Sequence, residues 1–258
     1  MILVNPTYES LREQLSKPEE LMANGTLIHR GRNELRVAEI KGIRVCIKQY
    51  RIPNALRSFM YRYLRAPKGL RAWRNTIGLR KAGFDAPEQI AYIQENTPLG
   101  IGHSYFICLY QEGRTLYQWG DQPLNAIRND IIALAQWTAQ LHEKGWIHKD
   151  FTPGNILLTE KGFALVDLNR MRRGHITLHG GLENMAGLWL QPNAAALLAQ
   201  EYAKARHDHH PEKAIEWMTQ YRRCFWRRFT DRHGLKDLIV HTDVDGSRYS
   251  YHFNSTLQ

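Results

Sequence analysis

The segment His148-Lys149-Asp150-Phe151-Thr152-Pro153-Gly154-Asn155 sets a carboxylate and a carboxamide five positions apart on a constrained loop. Such a pair can do two jobs at one point. The Asp150 carboxylate can take a proton from a hydroxyl while the Asn155 amide oxygen holds a cation. A second carboxylate, Asp167, follows in Val166-Asp167-Leu168-Asn169. It closes a pair of strand-like runs, residues 155–159 and 163–168, joined by the turn Glu160-Lys161-Gly162. Two carboxylates and an amide oxygen are hard donors, which suit Mg²⁺ rather than zinc.

The elements that must position these groups change character along the chain. Before about residue 110 the sequence predicts short strands over 26–29, 35–40, 44–49, 89–93 and 104–110, interrupted by one helix over 70–82 that Gly83 and Pro87 terminate. Beyond residue 120 helices take over. Apolar residues at Ile127, Ile131, Leu134, Trp137 or Thr138, and Leu141 recur at helical spacing over 125–143, with Gly145 as the stop. Further helices are predicted over 183–190, 193–206 and 211–233, the last opened by Pro211. The expectation is an α+β protein with a β-rich front and a helical back, the boundary falling between Gly113 and Asp121.

The order His-x-Asp, Asn five residues after the Asp, a hairpin and then a strand-end Asp resembles the catalytic core of the bilobal protein-kinase-like fold. That resemblance implies that Asp150 is the base facing the acceptor hydroxyl, that Asn155 and Asp167 hold Mg²⁺, and that His148 is a scaffold residue. Upstream, Lys48 in Val45-Cys46-Ile47-Lys48 matches the strand lysine that grips the ATP phosphates, and Gly31 and Arg32, in Arg30-Gly31-Arg32-Asn33, occupy the position of the phosphate lid. More of the chain is similar to one branch, the Kdo/WaaP lipopolysaccharide kinases. The similarity lies in the strand lysine, the step Ala82-Gly83-Phe84-Asp85-Ala86-Pro87 out of the helix, and Asp167-Leu168-Asn169-Arg170-Met171 in place of Asp-Phe-Gly. The implied domains are an extension over 1–23, a nucleotide-binding lobe over 24–112 and a catalytic lobe over 113–258. The implied activity is Mg-ATP-dependent phosphorylation of a sugar hydroxyl, on Kdo or heptose, of the lipopolysaccharide inner core, with the lipid A-core as partner. The alternatives are a kinase of a protein or small soluble acceptor, and a kinase-shaped protein that binds nucleotide or lipid without transfer.

The chain departs from the pattern in three ways. The helix glutamate expected to pair with the strand lysine falls near Trp73-Arg74-Asn75, where Arg74 stands, so Lys48 needs another carboxylate, with Glu34, Glu39 and Glu88 as candidates, or must work unpaired. The lid has a single glycine and reads equally well as a plain hairpin turn, and no activation segment ending in Ala-Pro-Glu is present.

The 258 residues, with ordinary proportions of apolar and charged groups, exclude a low-complexity or fibrous chain. No apolar run is long enough for a bilayer span, and the opening MILVNPTYES lacks a basic leader, so the expected location is cytoplasmic; the family resemblance implies a peripheral place at the inner face of the inner membrane. Three cysteines without a CxxC pair read as plain thiols. The net charge of +10 favours an anionic partner. Nine basic and no acidic residues lie between Arg51 and Lys81, mixed with Phe59, Tyr61, Tyr63 and Leu64. That mixture suits an anionic membrane surface or, equally, the solvated helical face of a basic protein. A second cluster, Arg222, Arg223, Arg227, Arg228 and Arg232, alternates with aromatics expected in the core. Nucleic acid is not an expected partner, because no recognition signature accompanies the charge.

Overall fold

The computed structural model describes residues 1–98, 100–233, 239–242 and 249–252. The chain divides into two compact units, the first Met1–Glu112 with Ala164–Met171 and the second Gly113–Phe163 with Arg172–Gln258.

Among the described residues, unit 1 contains β1 (Ile2–Val4), α1 (Arg12–Leu15), α2 (Pro18–Asn24), β2 (Thr26–Arg30), β3 (Glu34–Ile40), β4 (Ile43–Tyr50), α3 (Ala55–Tyr63), α4 (Lys68–Lys81), β5 (Gln89–Thr97) and β6 (Gly100–Leu109). The strands form one antiparallel sheet in the order β1-β5-β6-β4-β3-β2. The β3–β4 hairpin turns at Lys41-Gly42, both at positive φ, the backbone that a two-residue hairpin requires. Along β4 the pleat sorts side chains by parity. Val45 and Ile47 are fully buried in a cluster with Leu11, Leu15, Ile90 and Tyr105. Cys46, Lys48 and Tyr50 take the other face, where Tyr50 packs with Ala72 of α4 and with Phe106. Thus Lys48 emerges on the α4 side of the sheet.

Residues 1–23, read from the sequence as an N-terminal extension, are built into this unit: Ile2 pairs with Ile93, and Leu11, Leu15 and Met22 enter its core. The expectation of one helix in the front half is also corrected, because α1, α2 and α3 form as well. Helix α3 escapes a reading based on apolar periodicity because its apolar side does not face a core. Asn54 starts it by accepting from the Arg57 amide (3.1 Å). Only Ser58 is buried, its hydroxyl donating to the Ile101 carbonyl (2.9 Å) and accepting from the Ile101 amide (2.7 Å).

Unit 2 takes up the chain with β7 (Arg114–Thr115), α5 (Leu124–Glu143), β8 (Trp146–His148), β9 (Ile156–Thr159), β10 (Gly162–Leu165), β11 (Met171–Arg173), α6 (Leu178–Met185), α7 (Pro192–Ala205), α8 (Lys213–His233), β12 (Ile239–Thr242) and β13 (Tyr249–His252), although β10 and β11 each run across its boundary. Ile131, Leu134 and Leu141 of α5 are fully buried, as are Ala194, Leu198 and Tyr202 of the neighbouring α7. Helix α6 lies about five residues earlier than the predicted 183–190. Gly180-Gly181 argues against a helix by propensity, yet Thr177 caps it, accepting from the Gly180 amide (3.0 Å). A Cβ at Gly181 would sit 1.8 Å from Tyr202 Oη, so close packing requires glycine there. No helix among the described residues is long and apolar enough to cross a membrane.

Candidate active site

In unit 1 the segment Ala164–Met171 is tied down by backbone and side-chain bonds. Ala164 forms a bridge with Asp85, the Leu165 amide donates to the Asp85 carbonyl (3.1 Å), and Asn75 Nδ2 of α4 donates to the Leu168 carbonyl (2.7 Å). Between these anchors Asp167 adopts a left-handed backbone (φ 53°, ψ 48°), a conformation that Asp tolerates better than most residues. Its carboxylate accepts from Lys48 Nζ and from Asn169 Nδ2. The ion pair is largely shielded, with the lysine side chain 12% exposed.

This corrects the expectation about the partner of Lys48. Glu34 is held by Arg36 (2.6 Å) and Arg30 (3.3 Å), Glu88 by Arg80 (3.1 Å), and Glu39 lies opposite Arg44 in the β3–β4 register. The strand-end Asp167 itself takes the lysine. Arg74 points outward and is exposed, whereas its neighbour Asn75 reaches the segment that carries Asp167. The periodicity of α4 carries the signal for this: its buried residues include Ala72 and Leu79, and Asn75 stands three after the first and four before the second.

Gly31 and Arg32 lie in the β2–β3 turn, which is closed by the Gly31 amide donating to the Asn33 carbonyl (3.1 Å). This is a tight hairpin turn rather than an extended glycine-rich flap. Lys68, at the start of α4, has its ammonium pKa lowered, chiefly by burial and next by the Arg32 cation, with Asp167 opposing the shift. Arg32 and Lys68 therefore lie within electrostatic reach of each other, and Lys68 within reach of the Lys48–Asp167 pair.

In unit 2 the loop after β8 is organised around His148, which is fully buried. His148 Nδ1 accepts from the Asp150 amide (3.1 Å), and its carbonyl accepts from Asn184 Nδ2 of α6 (2.9 Å). Asn155 Nδ2 donates to the Asp150 carbonyl (2.8 Å) and to Thr152 Oγ1 (3.2 Å). With its nitrogen so engaged, the Asn155 amide oxygen is the atom left for an outside ligand. Asp150 is half-buried and lines a cavity of about 230 Å³ with Lys149, Thr152, Glu183 and Asn184. Tyr117 packs over the loop, 2.9 Å from where a Cβ at Gly154 would be, and its hydroxyl pKa is raised by burial and then by the Asp150 charge.

Thus Lys48 and Asp167 come together in unit 1, with Arg32 and Lys68 nearby, and Asp150 and Asn155 come together in unit 2. Sequence reasoning missed Asn75, Asn169, Asn184 and Tyr117, which orient these groups through single bonds or contacts across the fold. The carboxylate of Asp167 and the free amide oxygen of Asn155 have the hard-oxygen chemistry that Mg²⁺ selects, and a cation that keeps phosphates and waters among its ligands needs few donors from the protein.

No curated protein matches the chain in sequence. Among solved structures, WaaP in complex with acyl carrier protein is similar over 88% of this chain and 99% of that one, with a TM-score of 0.60 at 16% identity, a likeness of fold. The model of the lipopolysaccharide kinase (Kdo/WaaP) family matches residues 51–189, a span that includes Asp150, Asn155 and Asp167 and leaves out Lys48 and the lid. With more than half of its length matched by that model, the chain belongs to the Kdo/WaaP lipopolysaccharide kinase family and is a kinase.

Proposed function

We propose that the chain transfers the γ-phosphate of Mg-ATP to a sugar hydroxyl of the lipopolysaccharide inner core, on Kdo or heptose, working peripherally at an anionic membrane surface on the cytoplasmic side. The observation that carries the reading is the Lys48–Asp167 ion pair, which joins a cation and a hard-oxygen donor 119 residues apart in the sequence. Family membership supports phosphate transfer and the class of acceptor.

In this mechanism Lys48 holds the phosphate tail of the nucleotide while Gly31 and Arg32 cover it, so nucleotide handling falls to residues 24–112. Asp150 accepts the proton of the acceptor hydroxyl as its oxygen bonds to the γ-phosphorus and the bond to the ADP oxygen breaks. His148 and Asn155 hold the Asp150 backbone in register for that attack, and Asn184 braces His148 through its carbonyl. Held by Asp167 and Asn155, Mg²⁺ would supply charge neutralisation at the β and γ phosphates. The membrane part of the reading is supported by α3, where Leu56 is 71% and Phe59 49% exposed, with Leu64 just beyond its end 75% exposed, all within the acid-free basic segment.

The test is incubation of the purified chain with Mg-ATP and lipopolysaccharide whose inner core lacks phosphate, followed by mass spectrometry of the core. Gain of a phosphate on Kdo or heptose is expected. Phosphorylation of a soluble aminoglycoside or a protein, with none on the core, overturns the reading.

A further inference from the structure

Unit 1 contains a cavity of about 560 Å³ that neither Lys48 nor Asp167 lines. Its walls bring together Arg32 from the β2–β3 turn, Arg51 just after β4, Arg57 of α3 and Lys68 of α4, and no carboxylate is among the lining residues. None of these four cations is in an ion pair among the described residues, whereas Arg30, Arg36, Arg44 and Arg80 of the same unit are. Four unpaired cations around one hollow repel one another, an arrangement that an anion relieves. Tyr50, 4% exposed, closes part of the cavity wall. The cavity is larger than one phosphate and falls in the range of small-ligand sites. Asn54, Ser104 and Tyr61 add neutral polar groups of the kind that bind sugar hydroxyls.

We propose that this cavity binds a phosphorylated saccharide, the phosphate seated among Arg51, Arg57 and Lys68, so that the enzyme selects an acceptor already carrying a phosphate apart from those of ATP. The inference rests on the reading of the chain as a kinase of a saccharide acceptor.

The experiment saturates the full chain with Mg²⁺ and a non-hydrolysable ATP analogue, then titrates glucose 1-phosphate, glucose and inorganic phosphate by calorimetry. Glucose 1-phosphate is expected to bind more tightly than either of the others. Arg51→Ala with Arg57→Ala is expected to weaken that binding by about tenfold or more, as loss of guanidinium–phosphate contacts does. The same double variant is expected to keep the wild-type melting temperature and affinity for the ATP analogue. Arg57→Lys, which keeps the charge but loses the fork, is expected to fall between. Equal affinity for glucose and glucose 1-phosphate, or no binding of either, overturns the site. Equal affinity for inorganic phosphate and glucose 1-phosphate overturns its saccharide part. A double variant that loses the ATP analogue and keeps glucose 1-phosphate assigns the cations to the nucleotide and also overturns the proposal. Because binding is read without transfer, failure to phosphorylate lipopolysaccharide in the preceding assay overturns the functional reading separately.

Discussion

At the scale of single residues, the two carboxylates have different neighbours and therefore different expected phenotypes. Asp150 is fixed through its backbone and presents its side chain to a cavity, so Asp150→Ala is expected to lower kcat by about 10²–10⁴-fold with nucleotide affinity retained. Asp167 is bonded to Lys48 and Asn169, so Asp167→Ala is expected to remove transfer and also to weaken Mg-dependent nucleotide binding. Steady-state kinetics and a nucleotide titration with and without Mg²⁺ check both, and full transfer by purified Asp150→Ala would contradict the assignment. Asn75→Ala removes the α4 bond to the Leu168 carbonyl. It is expected to cost about 1 kcal/mol in denaturant melts, as one hydrogen bond typically does, and to lower kcat more than Arg74→Ala, because Arg74 is exposed. The closeness of Asp150 and Asn155 on one loop was legible from their spacing. The partner of Lys48 was not, since an ion pair between β4 and the segment after β10 depends on how far-separated elements dock.

At the scale of elements, the helices behind the Asp150 loop lock through one buried polar contact. His142 of α5 bonds to Tyr202 Oη of α7 (2.9 Å), and Gly181 of α6 admits that hydroxyl. Gly181→Ala is expected to destabilise unit 2 by about 1–3 kcal/mol, the usual effect of overpacking, read as a lower midpoint in urea. Burial, and then the Arg206 cation, lower the His142 pKa from 6.5 to about 3. Between those values the unfolded chain binds a proton that the folded chain refuses. The contribution is therefore whole above pH 6.5 and is lost as pH falls toward 3. Thermal melts at pH 7.5 and 4.5 are expected to differ less for His142→Gln than for the wild type, by the equivalent of on the order of 2 kcal/mol. A variant with the wild-type acid sensitivity would rule His142 out as the source. Helices α5 and α7 were legible because each has a buried apolar face. Helix α3 was not, because its exposed apolar residues follow no core.

At the scale of the whole molecule, the net charge of +10 and the exposed apolar side of α3 underlie the proposed membrane contact. Binding to vesicles containing anionic phospholipid is expected, with little binding to neutral vesicles and a steep loss as salt shortens the Debye length. Leu56→Glu combined with Leu64→Glu is expected to weaken vesicle binding by about tenfold or more, while kcat on a delipidated core acceptor stays unchanged. Sedimentation with vesicles measures the first and a transfer assay the second. The likeness to a kinase-like core, with its β-rich front and helical back, was written in the order of motifs and in the change of hydrophobic period near residue 113, because local spacing determines which face of a strand or helix a side chain occupies. Only the tertiary structure decided that Asp167 answers Lys48, that Asn75 rather than residue 74 braces it, and that Arg51, Arg57 and Lys68 share a cavity with Arg32. Those are contacts between elements separated along the chain. Each depends on packing directions and register that no local pattern of residues contains.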